Sequence, residues 1–189
     1  MKRVLLFLMI AGLTTMNGFS QKKENRPVSG FTGIDASSVF NITVTKGSTE
    51  SLSIEADDNV IQYVRSEVRN GVLHLYLDNR NKLNNTKTLR ASIVMKNLDK
   101  VTLSGACKLT ANDLFTPEKF KGDCSGASSM EVNVNTGYLS IETSGACNVG
   151  IKANVTGDTN LDLSGASKIQ GKLKAANVKF NSSGVYQGS

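Results

Sequence analysis

The chain has 189 residues with no tryptophan and a single histidine, and its net charge is +6 at pH 7. That length fits one large domain or two small ones. The basic residues are spread along the chain and aromatic residues are sparse, whereas a nucleic-acid surface needs a concentrated basic stripe with stacking aromatics. Composition therefore excludes a typical nucleic-acid-binding protein.

The first residues predict export. A basic pair, Lys2 and Arg3, precedes the apolar run VLLFLMIAGL, and the small residues around Phe19 suit cleavage after Ser20. A retained anchor is the weaker alternative, because the run is about ten residues long and a membrane span needs roughly 20. We therefore predict a signal peptide at residues 1–20, no transmembrane segment after its removal, and a flexible linker at residues 21–27.

Residues 28–98 predict a β-rich cap. Asn70-Gly71 between two alternating segments is a strong signal for a two-residue hairpin. Residues 57–63 predict a single helical turn, and the polar residues 79–88 predict a mobile loop. Further segments with alternating or apolar residues predict strands: Phe31 to Ile34, Val39 to Thr45, Leu52 to Ala56 and Leu89 to Met95.

A Ser-Gly pair then recurs five times, at spacings of 21, 19, 20 and 19 residues. A period near 20 residues indicates a solenoid. Mostly apolar residues alternate with polar ones before each pair, and a second alternation follows it, as expected for two half-buried strands in each repeat. No segment of the repeat has a helical period, which excludes a helical leucine-rich repeat. The pairs are Ser104-Gly105, Ser125-Gly126, Ser144-Gly145, Ser164-Gly165 and Ser183-Gly184.

The sequence thus predicts an all-β protein, with a β-solenoid of about 20-residue coils at residues 99–189 that is continuous with the cap as one domain. Coils in such a fold stack about 4.8 Å apart, and their strands pair with those of neighbouring coils. The Ser-Gly-Ala corner needs glycine for its backbone conformation. We expect the alanine to point into the corner and the serine to bond to local backbone or to the next serine. Five equivalent serines are typical of corner structure and not of catalytic nucleophiles.

Few other residues offer chemistry. His74 has the same strand parity as Tyr76, so we expect it to face solvent, and one histidine with no nearby cysteine pair cannot build a zinc site. The sequence has no phosphate-binding glycine loop and no Cys-x-x-Cys motif. No cofactor and no metal site are therefore expected from these motifs.

The three cysteines, Cys107, Cys124 and Cys147, are an odd set for an exported protein. Cys107 and Cys147 share a repeat position two coils apart, about 9.6 Å, which exceeds the reach of a disulfide. We expect three unpaired, partly buried thiols. A disulfide from Cys124 to one neighbour and a catalytic thiol are the alternatives.

One column of carboxylates is the candidate site. Asp123, Glu142 and Asp162 occupy the outward position two residues before the serine in three consecutive coils. The simplest interpretation is a solvated face of mixed charge, because lysines such as Lys100 and Lys121 occupy the adjacent outward position. A divalent ion, a weak glycan contact and catalysis are the alternatives, since two carboxyls about 5 to 9.5 Å apart can hydrolyse a glycosidic bond.

The chain resembles a known family. Phe31-Thr32-Gly33-Ile34 with the following VFNITV, the acidic stretch at residues 55–59, the hairpin and the Ser-Gly-Ala corners resemble the head GIN domain family, which is labelled a "putative auto-transporter adhesin" family. The resemblance covers roughly residues 28–189. It implies an all-β, solenoid-like fold and a location in the envelope of Gram-negative bacteria, and it supplies no catalytic residue or ligand.

These features together predict an exported, non-catalytic binding module in the periplasm or on the outer surface of a Gram-negative bacterium. The sequence names no partner, although a repetitive face suits an envelope glycan or protein. One alternative is a glycan-cleaving β-helix enzyme that uses the acidic column. Another is a structural protein that self-associates through an open strand edge at the C-terminal end.

Overall fold

The computed structural model describes residues 21–78, 89–184 and 187–188. The predicted signal peptide at residues 1–20 and the predicted loop at residues 79–88 lie outside the described residues. The described chain is all-β, as predicted, with a single 3-10 turn at Ile61–Tyr63 in the segment predicted as a helical turn. Within the described ranges, no helix has both the length and the apolar character needed to cross a bilayer.

The described residues contain fifteen strands, which form one continuous sheet that folds around a core. The N-terminal strands are β1 Gln21–Arg26, β2 Gly33–Ala36, β3 Asn41–Lys46, β4 Ser51–Asp57, β5 Val64–Arg69, β6 Val72–Leu77 and β7 Leu89–Met95. The strands of the repeat region are β8 Lys100–Leu103, β9 Lys108–Phe115, β10 Lys119–Gly126, β11 Ser129–Thr136, β12 Tyr138–Gly145, β13 Asn148–Gly165, β14 Lys168–Gly184 and β15 Gln187–Gly188.

The repeat region is a two-sided β-solenoid, which confirms the predicted fold. Each coil contributes one strand to a front sheet and one to a back sheet, and the Ser-Gly-Ala corner joins the two. The front sheet is ordered β5-β6-β2-β8-β10-β12 and continues into the later halves of β13 and β14. The back sheet is ordered β1-β4-β7-β3-β9-β11, continues into the earlier halves of β13 and β14, and ends with β15.

The core lies between the two sheets, because parallel pairing in register aligns equivalent apolar residues of successive coils. Leu109, Met130, Val149 and Ile169 are paired in this way, and all four side chains are buried. Each such side chain contributes about 1.5–3 kcal/mol when it leaves water. Met130 also fills the space that Gly122 leaves open, since a Cβ on Gly122 would lie 2.6 Å from the Met130 Cε.

The cap contains a further coil that the Ser-Gly repeat does not reveal. Strand β2 pairs in parallel with β8, and β3 pairs in parallel with β9, so Ile34 lies beside Val101. Ser38 occupies the place of the corner glycine with φ = +89°, and its carbonyl accepts the Ala106 N–H at 2.7 Å. Below this coil, β6 and β7 pair in parallel with β2 and β3. The stack of coils therefore begins inside the cap.

Antiparallel strands close the N-terminal end of the stack. Strands β4 and β1 extend the back sheet beyond β7, and β5 extends the front sheet beyond β6. The predicted hairpin between β5 and β6 is confirmed. Asn70 and Gly71 have φ values of +51° and +74°, and two positive φ values are what a type I′ turn requires.

The prediction of a flexible linker at residues 21–27 is wrong, because Gln21–Arg26 forms strand β1. All six residues of β1 pair with β4, and the Arg26 guanidinium donates to the backbone carbonyls of Val64 at 2.8 Å and Ile61 at 3.3 Å. Most of β1 is exposed and none of its residues is apolar. The segment therefore lacks the alternation from which a strand is predicted.

The corners stack through their backbones. From the second Ser-Gly corner onward, each corner alanine donates its N–H to the carbonyl of the corner glycine one coil earlier, as Ala127 does to Gly105 and Ala146 does to Gly126, both at 2.7 Å. Four corner glycines have positive φ, and a Cβ on Gly126 would lie 2.5 Å from the Gly105 carbonyl oxygen; the four are Gly105, Gly126, Gly145 and Gly165. Glycine is therefore required both for the turn and for the close approach of successive coils.

The alanine side chains at the corners are exposed, so the prediction that they point into the corner is wrong. The following residue fills the corner instead, and Cys107 and Ser128 are both buried there. The expectation that the serines bond to backbone is confirmed at two corners. The Ser125 hydroxyl donates to the Leu103 carbonyl at 3.2 Å, and the Ser164 hydroxyl donates to the Thr143 carbonyl at 2.8 Å.

Candidate functional site

One column of outward-facing polar residues runs along the front sheet. The register of the parallel strands places these residues side by side, one from each strand, and the three predicted carboxylates occupy consecutive positions. We name this set the front column. Its members are His74, Asp35, Thr102, Asp123, Glu142, Asp162 and Asn181.

Lys121 bridges the first two carboxylates of the predicted site. Its Nζ lies 3.1 Å from Glu142 Oε1 and 3.6 Å from Asp123 Oδ1. The hydrogen bond to Glu142, followed by the charge of Asp123, raises the pKa of Lys121 above its usual value. Among the described residues, no ion pair engages Asp162. The negative charge is thus partly neutralised at one end of the acidic stretch and open at the other.

A shallow groove of about 350 Å³ follows the acidic stretch. Its floor combines carboxylates with the hydroxyl groups of the corner serines and of neighbouring threonines. These groups recur from coil to coil because the strands pair in register. The polar residues that line the groove are Thr102, Asp123, Ser125, Glu142, Thr143, Ser144, Asp162 and Ser164.

Part of the hydrogen-bonding capacity of the front column is unused. Thr102 and Asp123 lie opposite each other on β8 and β10. Thr102 Oγ1 is shielded from solvent and has no hydrogen-bond partner within the described residues, and Asp123 Oδ1, also shielded, has only the ion-pair contact with Lys121 at 3.6 Å. Polar atoms in this state are costly to leave unpaired, and they gain most from a partner that supplies the missing bond.

The front column continues into the cap through His74 and Asp35. The prediction that His74 faces outward is confirmed, since its side chain is 27% exposed while Leu73 and Leu75 on either side are buried. His74 Nδ1 lies 3.1 Å from Asp35 Oδ2. Next to this pair, the Tyr76 hydroxyl donates to Glu67 Oε1 at 2.7 Å. The acidic character of the front sheet therefore extends beyond the repeats.

The three cysteines are free and buried, as predicted. Burial raises the pKa of Cys107 to about 11 and that of Cys124 to about 12, and it also raises the pKa of Cys147. Cys147 donates weakly to the Ser144 carbonyl at 3.4 Å, the same bond that the Ser128 hydroxyl makes to Ser125 at 2.9 Å. The raised pKa values keep the thiols protonated at neutral pH. Since only a thiolate acts as a nucleophile, these cysteines are filling residues of the core and not reactive groups.

No group of three or more His, Cys, Asp or Glu side chains in residues 21–78 and 89–184 is arranged to hold a metal ion. The divalent-ion interpretation of the acidic column therefore has no support from the geometry of these residues.

A second groove, of about 770 Å³, lies at the N-terminal end between β1, β4 and β5. Its charged residues are engaged within the cap. Arg26 donates to two backbone carbonyls, Glu67 accepts from Tyr76, and Glu50 accepts from the Gly30 N–H at 2.6 Å. These bonds stabilise the closure of the stack, and they leave the front column as the better candidate site.

Asp35 and His74 were missed as members of the column. Their positions follow from β2 and β6 lying directly beneath β8, although a long stretch of sequence separates these strands. A signal was present nonetheless. Ser37-Ser38 follows two residues after Asp35, as Ser125-Gly126 follows two residues after Asp123, so the same spacing marks both corners.

The comparisons with known proteins agree with this architecture. The family model described as "Putative auto-transporter adhesin, head GIN domain" matches residues 30–186. No curated protein matches the chain.

Solved structures share the fold at low sequence identity. A "putative adhesin" from Parabacteroides distasonis is 17% identical with a TM-score of 0.67, and the match covers 90% of this chain and 93% of that one. A "putative lipid binding protein" from the same species is 17% identical with a TM-score of 0.75, covering 92% and 74%. A "putative adhesin" from Bacteroides fragilis is 17% identical with a TM-score of 0.61, covering 90% and 97%. Since the family model spans most of the sequence, the chain belongs to the head GIN domain family of "putative auto-transporter adhesins".

Proposed function

We propose that the protein is an exported, non-catalytic binding module of the Gram-negative cell envelope, located in the periplasm or on the outer surface. In this proposal it binds a repetitive envelope polymer, a glycan, through the front column. The observation that carries the proposal is the in-register array of carboxylates and hydroxyls above the groove of about 350 Å³. Family membership and the export signal predicted at residues 1–20 support the location.

The chemistry of the front column suits a polymer that carries hydroxyl groups. Carboxylate oxygens at Asp123, Glu142 and Asp162 accept hydrogen bonds. The hydroxyls of Ser125 and Ser164 donate to backbone carbonyls and offer their lone pairs as acceptors. These groups repeat at the strand spacing of about 4.8 Å. A polymer with a short repeat can therefore make the same contact several times, and linked contacts raise the overall affinity without any single strong site.

The ion pairing of the carboxylates and the burial of the thiols favour a binding role over catalysis. Lys121 ion-pairs with two of the three carboxylates, and the thiols are buried and protonated. The three carboxylates nevertheless come from adjacent strands, which are about 4.8 Å apart, and this spacing is near the carboxyl separation used in glycoside hydrolysis. The test of the proposal must for this reason measure cleavage as well as binding.

The experiment uses purified residues 21–189 on a glycan array and in pull-downs from solubilised envelope and polysaccharide fractions. The triple variant Asp123→Asn, Glu142→Gln and Asp162→Asn removes the charge of the column with little change in shape. The matched control carries Asp113→Asn, Glu118→Gln and Glu131→Gln, three exposed carboxylates outside the front column.

The proposal predicts that the front-column variant loses at least about tenfold in affinity, because hydrogen bonds to charged groups contribute roughly 1.5–3 kcal/mol each, and that the control binds like the parent protein. The proposal would be contradicted if the protein is recovered folded but binds no polymer. It would also be contradicted if the front-column variant and the control variant bind equally well. If the parent protein yields shortened glycan products and the front-column variant does not, the function is glycan cleavage and the proposal of a non-catalytic module is wrong.

A further inference from the structure

The two sheets of the solenoid present faces of different charge. In the back sheet, β9, β11 and the earlier halves of β13 and β14 alternate buried residues with residues that point away from the core, and we call this outward side the back face. The front column contains four carboxylates and no lysine, whereas lysines outnumber carboxylates on the back face. The back face carries Lys108, Lys152, Lys168, Lys172 and Lys174 against Asp113 and Glu131.

Three of these lysines lie close together. Lys152 and Lys172 are register partners on β13 and β14, so their backbones are about 4.8 Å apart. Lys174 lies two residues further along β14, about 7 Å away on the same side of the sheet. All three side chains are exposed. Like charges directly opposite each other on neighbouring strands are destabilising, so a negatively charged surface would relieve the repulsion within this cluster.

The carboxylates of the back face do not neutralise the cluster. Asp113 Oδ2 accepts the backbone N–H of Lys46 at 2.8 Å. Glu131 belongs to a different row of register partners across the sheet, and that row contains no lysine. Among the residues that the structure describes, no ion pair engages any of the three lysines. Their charge is therefore available to an external anion.

An exposed leucine belongs to the same row as Lys152 and Lys172. Strand β9 has a bulge, and beyond it Leu114 pairs with Asn133, which in turn pairs with Lys152. The bulge turns Leu114 outward, where it is 48% exposed. Leu114 and the two lysines also line one groove of about 400 Å³. The back face thus sets an apolar side chain beside positive charge, the combination that binds the headgroup region of a bilayer.

This combination favours a bilayer over a soluble anionic polymer. A soluble polyanion pairs with the lysines but leaves Leu114 in water, whereas the boundary between headgroups and acyl chains accepts both kinds of side chain. The lysines of the back face are also spread over three rows of the sheet, as suits a broad charged surface. Each lysine held near anionic lipids adds to the attraction, which acts over a Debye length of about 10 Å.

We propose that the back face docks on a bilayer that contains anionic lipids. The ammonium groups of Lys152, Lys172 and Lys174 contact lipid phosphates, and Leu114 inserts among the headgroups. The front column lies on the other side of the core and then faces away from the bilayer. This inference goes beyond the proposed function and does not depend on it, because it concerns a different surface and a different class of partner.

The test is co-sedimentation of residues 21–189 with vesicles. One set of vesicles contains phosphatidylglycerol and phosphatidylethanolamine, and the other contains phosphatidylcholine alone. At low salt the partition coefficient should be at least about 100-fold higher on the anionic vesicles. It should fall as salt is added, because salt screens exposed charges.

Charge-neutralising variants locate the contact. Lys152→Gln, Lys172→Gln and Lys174→Gln together should lower the partition coefficient on anionic vesicles about 100-fold. The matched control is Lys100→Gln, Lys119→Gln and Lys179→Gln, which removes the same charge from exposed positions on the front sheet. The control should bind within about threefold of the parent protein, because charges further than a Debye length from the bilayer are screened.

A fluorescent reporter tests the insertion of Leu114. The chain has no tryptophan, so Leu114→Trp carries a single indole. Its emission should shift to shorter wavelength on anionic vesicles, because the indole leaves water. The control is Tyr138→Trp, at a position of the front sheet that is 38% exposed, and its emission should stay unchanged.

Four outcomes would overturn the proposal. The first is equal binding to both kinds of vesicle, or binding to neither. The second is an equal loss of binding in the two lysine variants, which would show attraction by net charge alone. The third is an emission shift for Tyr138→Trp and none for Leu114→Trp, which would place the bilayer against the front sheet. The fourth is binding of soluble polyphosphate as tightly as of the anionic vesicles, with no shift of the Leu114→Trp emission on vesicles, which would assign the back face to a polyanion.

Discussion

Replacing Gly145 by alanine tests the stacking of the corners directly. Gly145 has φ = +97°, and a Cβ at this position would lie 2.5 Å from the Gly126 carbonyl oxygen. The same oxygen accepts the Ala146 N–H at 2.7 Å, so it cannot move away from the added methyl without stretching that bond. The substitution therefore perturbs the turn and the contact between two coils at once.

The expected loss has two parts. A left-handed conformation costs a non-glycine residue roughly 1–2 kcal/mol. Weakening one backbone hydrogen bond between coils costs about 1 kcal/mol more. Together these terms predict that Gly145→Ala lowers the free energy of unfolding by about 2–3 kcal/mol.

The measurement is urea unfolding of residues 21–189, followed by circular dichroism. Gly71→Ala is the matched control, because Gly71 has φ = +74° but an added Cβ there meets no atom within 4 Å. The control should lose only the conformational part, roughly 1–2 kcal/mol. If Gly145→Ala is no more destabilising than Gly71→Ala, the close approach of the corner backbones does not stabilise the solenoid and the reasoning is refuted.

Three further predictions concern the cap and the cysteines. Ser38→Gly should raise the free energy of unfolding by about 1 kcal/mol. The reason is that Ser38 has φ = +89° and its buried Oγ lacks a hydrogen-bond partner within the described residues. An unchanged or lower urea midpoint would contradict this prediction. Arg26→Ala should lower the free energy of unfolding by about 2 kcal/mol, since the Val64 and Ile61 carbonyls lose their donor; proteolysis of β1 no faster than in the parent protein would count against it. Burial raises the pKa values of Cys107 and Cys124 from the ordinary value of 9.0 to about 11 and about 12. The protonated thiols therefore stabilise the fold fully below pH 9.0, and this contribution is lost as the pH rises through about 11 and 12. The free energy of unfolding falls by up to about 1.4 kcal/mol per pH unit for each thiol. The free energy of unfolding should therefore fall between pH 9 and 10.5, and a variant with serine at both positions should show a shallower fall; identical slopes would exclude the thiols as the cause.

The repeats could be predicted from sequence because their rules are local. Each coil needs alternating residues for its two sheets and a glycine where the backbone turns with positive φ close to the preceding corner. These demands recur at every coil, so they produce a period. The column of Asp123, Glu142 and Asp162 followed from the same period, since a fixed distance from the corner serine fixes the place in the sheet.

The 20-residue period of the Ser-Gly pairs could not reveal that Asp35 and His74 belong to the front column. The coil of β2 and β3 uses Ser38 where the other corners use glycine, and the chain between β3 and β8 forms other layers before it returns. Strand β8 consequently pairs with β2, a strand distant in sequence. Long-range pairing of this kind depends on how the whole core is filled, which no local pattern encodes.

The remaining errors have physical reasons as well. Strand β1 carries no alternation because it is an exposed edge strand, and charged residues on such an edge also discourage unwanted pairing. At the corner, the positive φ of glycine turns the following alanine outward, so the residue after it becomes the buried one. The direction of a side chain next to a turn depends on these dihedral angles, and composition alone does not determine it.

Carbodiimide footprinting of the protein with its captured envelope polymer tests most directly whether the front column is the binding surface. Carboxyl groups covered by the polymer should react more slowly than in the free protein, and mass spectrometry locates each modified residue. The account predicts protection of Glu142 and Asp162, and unchanged labelling of Asp113 and Glu131 on the back sheet. Protection confined to the back sheet, or equal labelling with and without bound polymer, would contradict the assignment of binding to the front column.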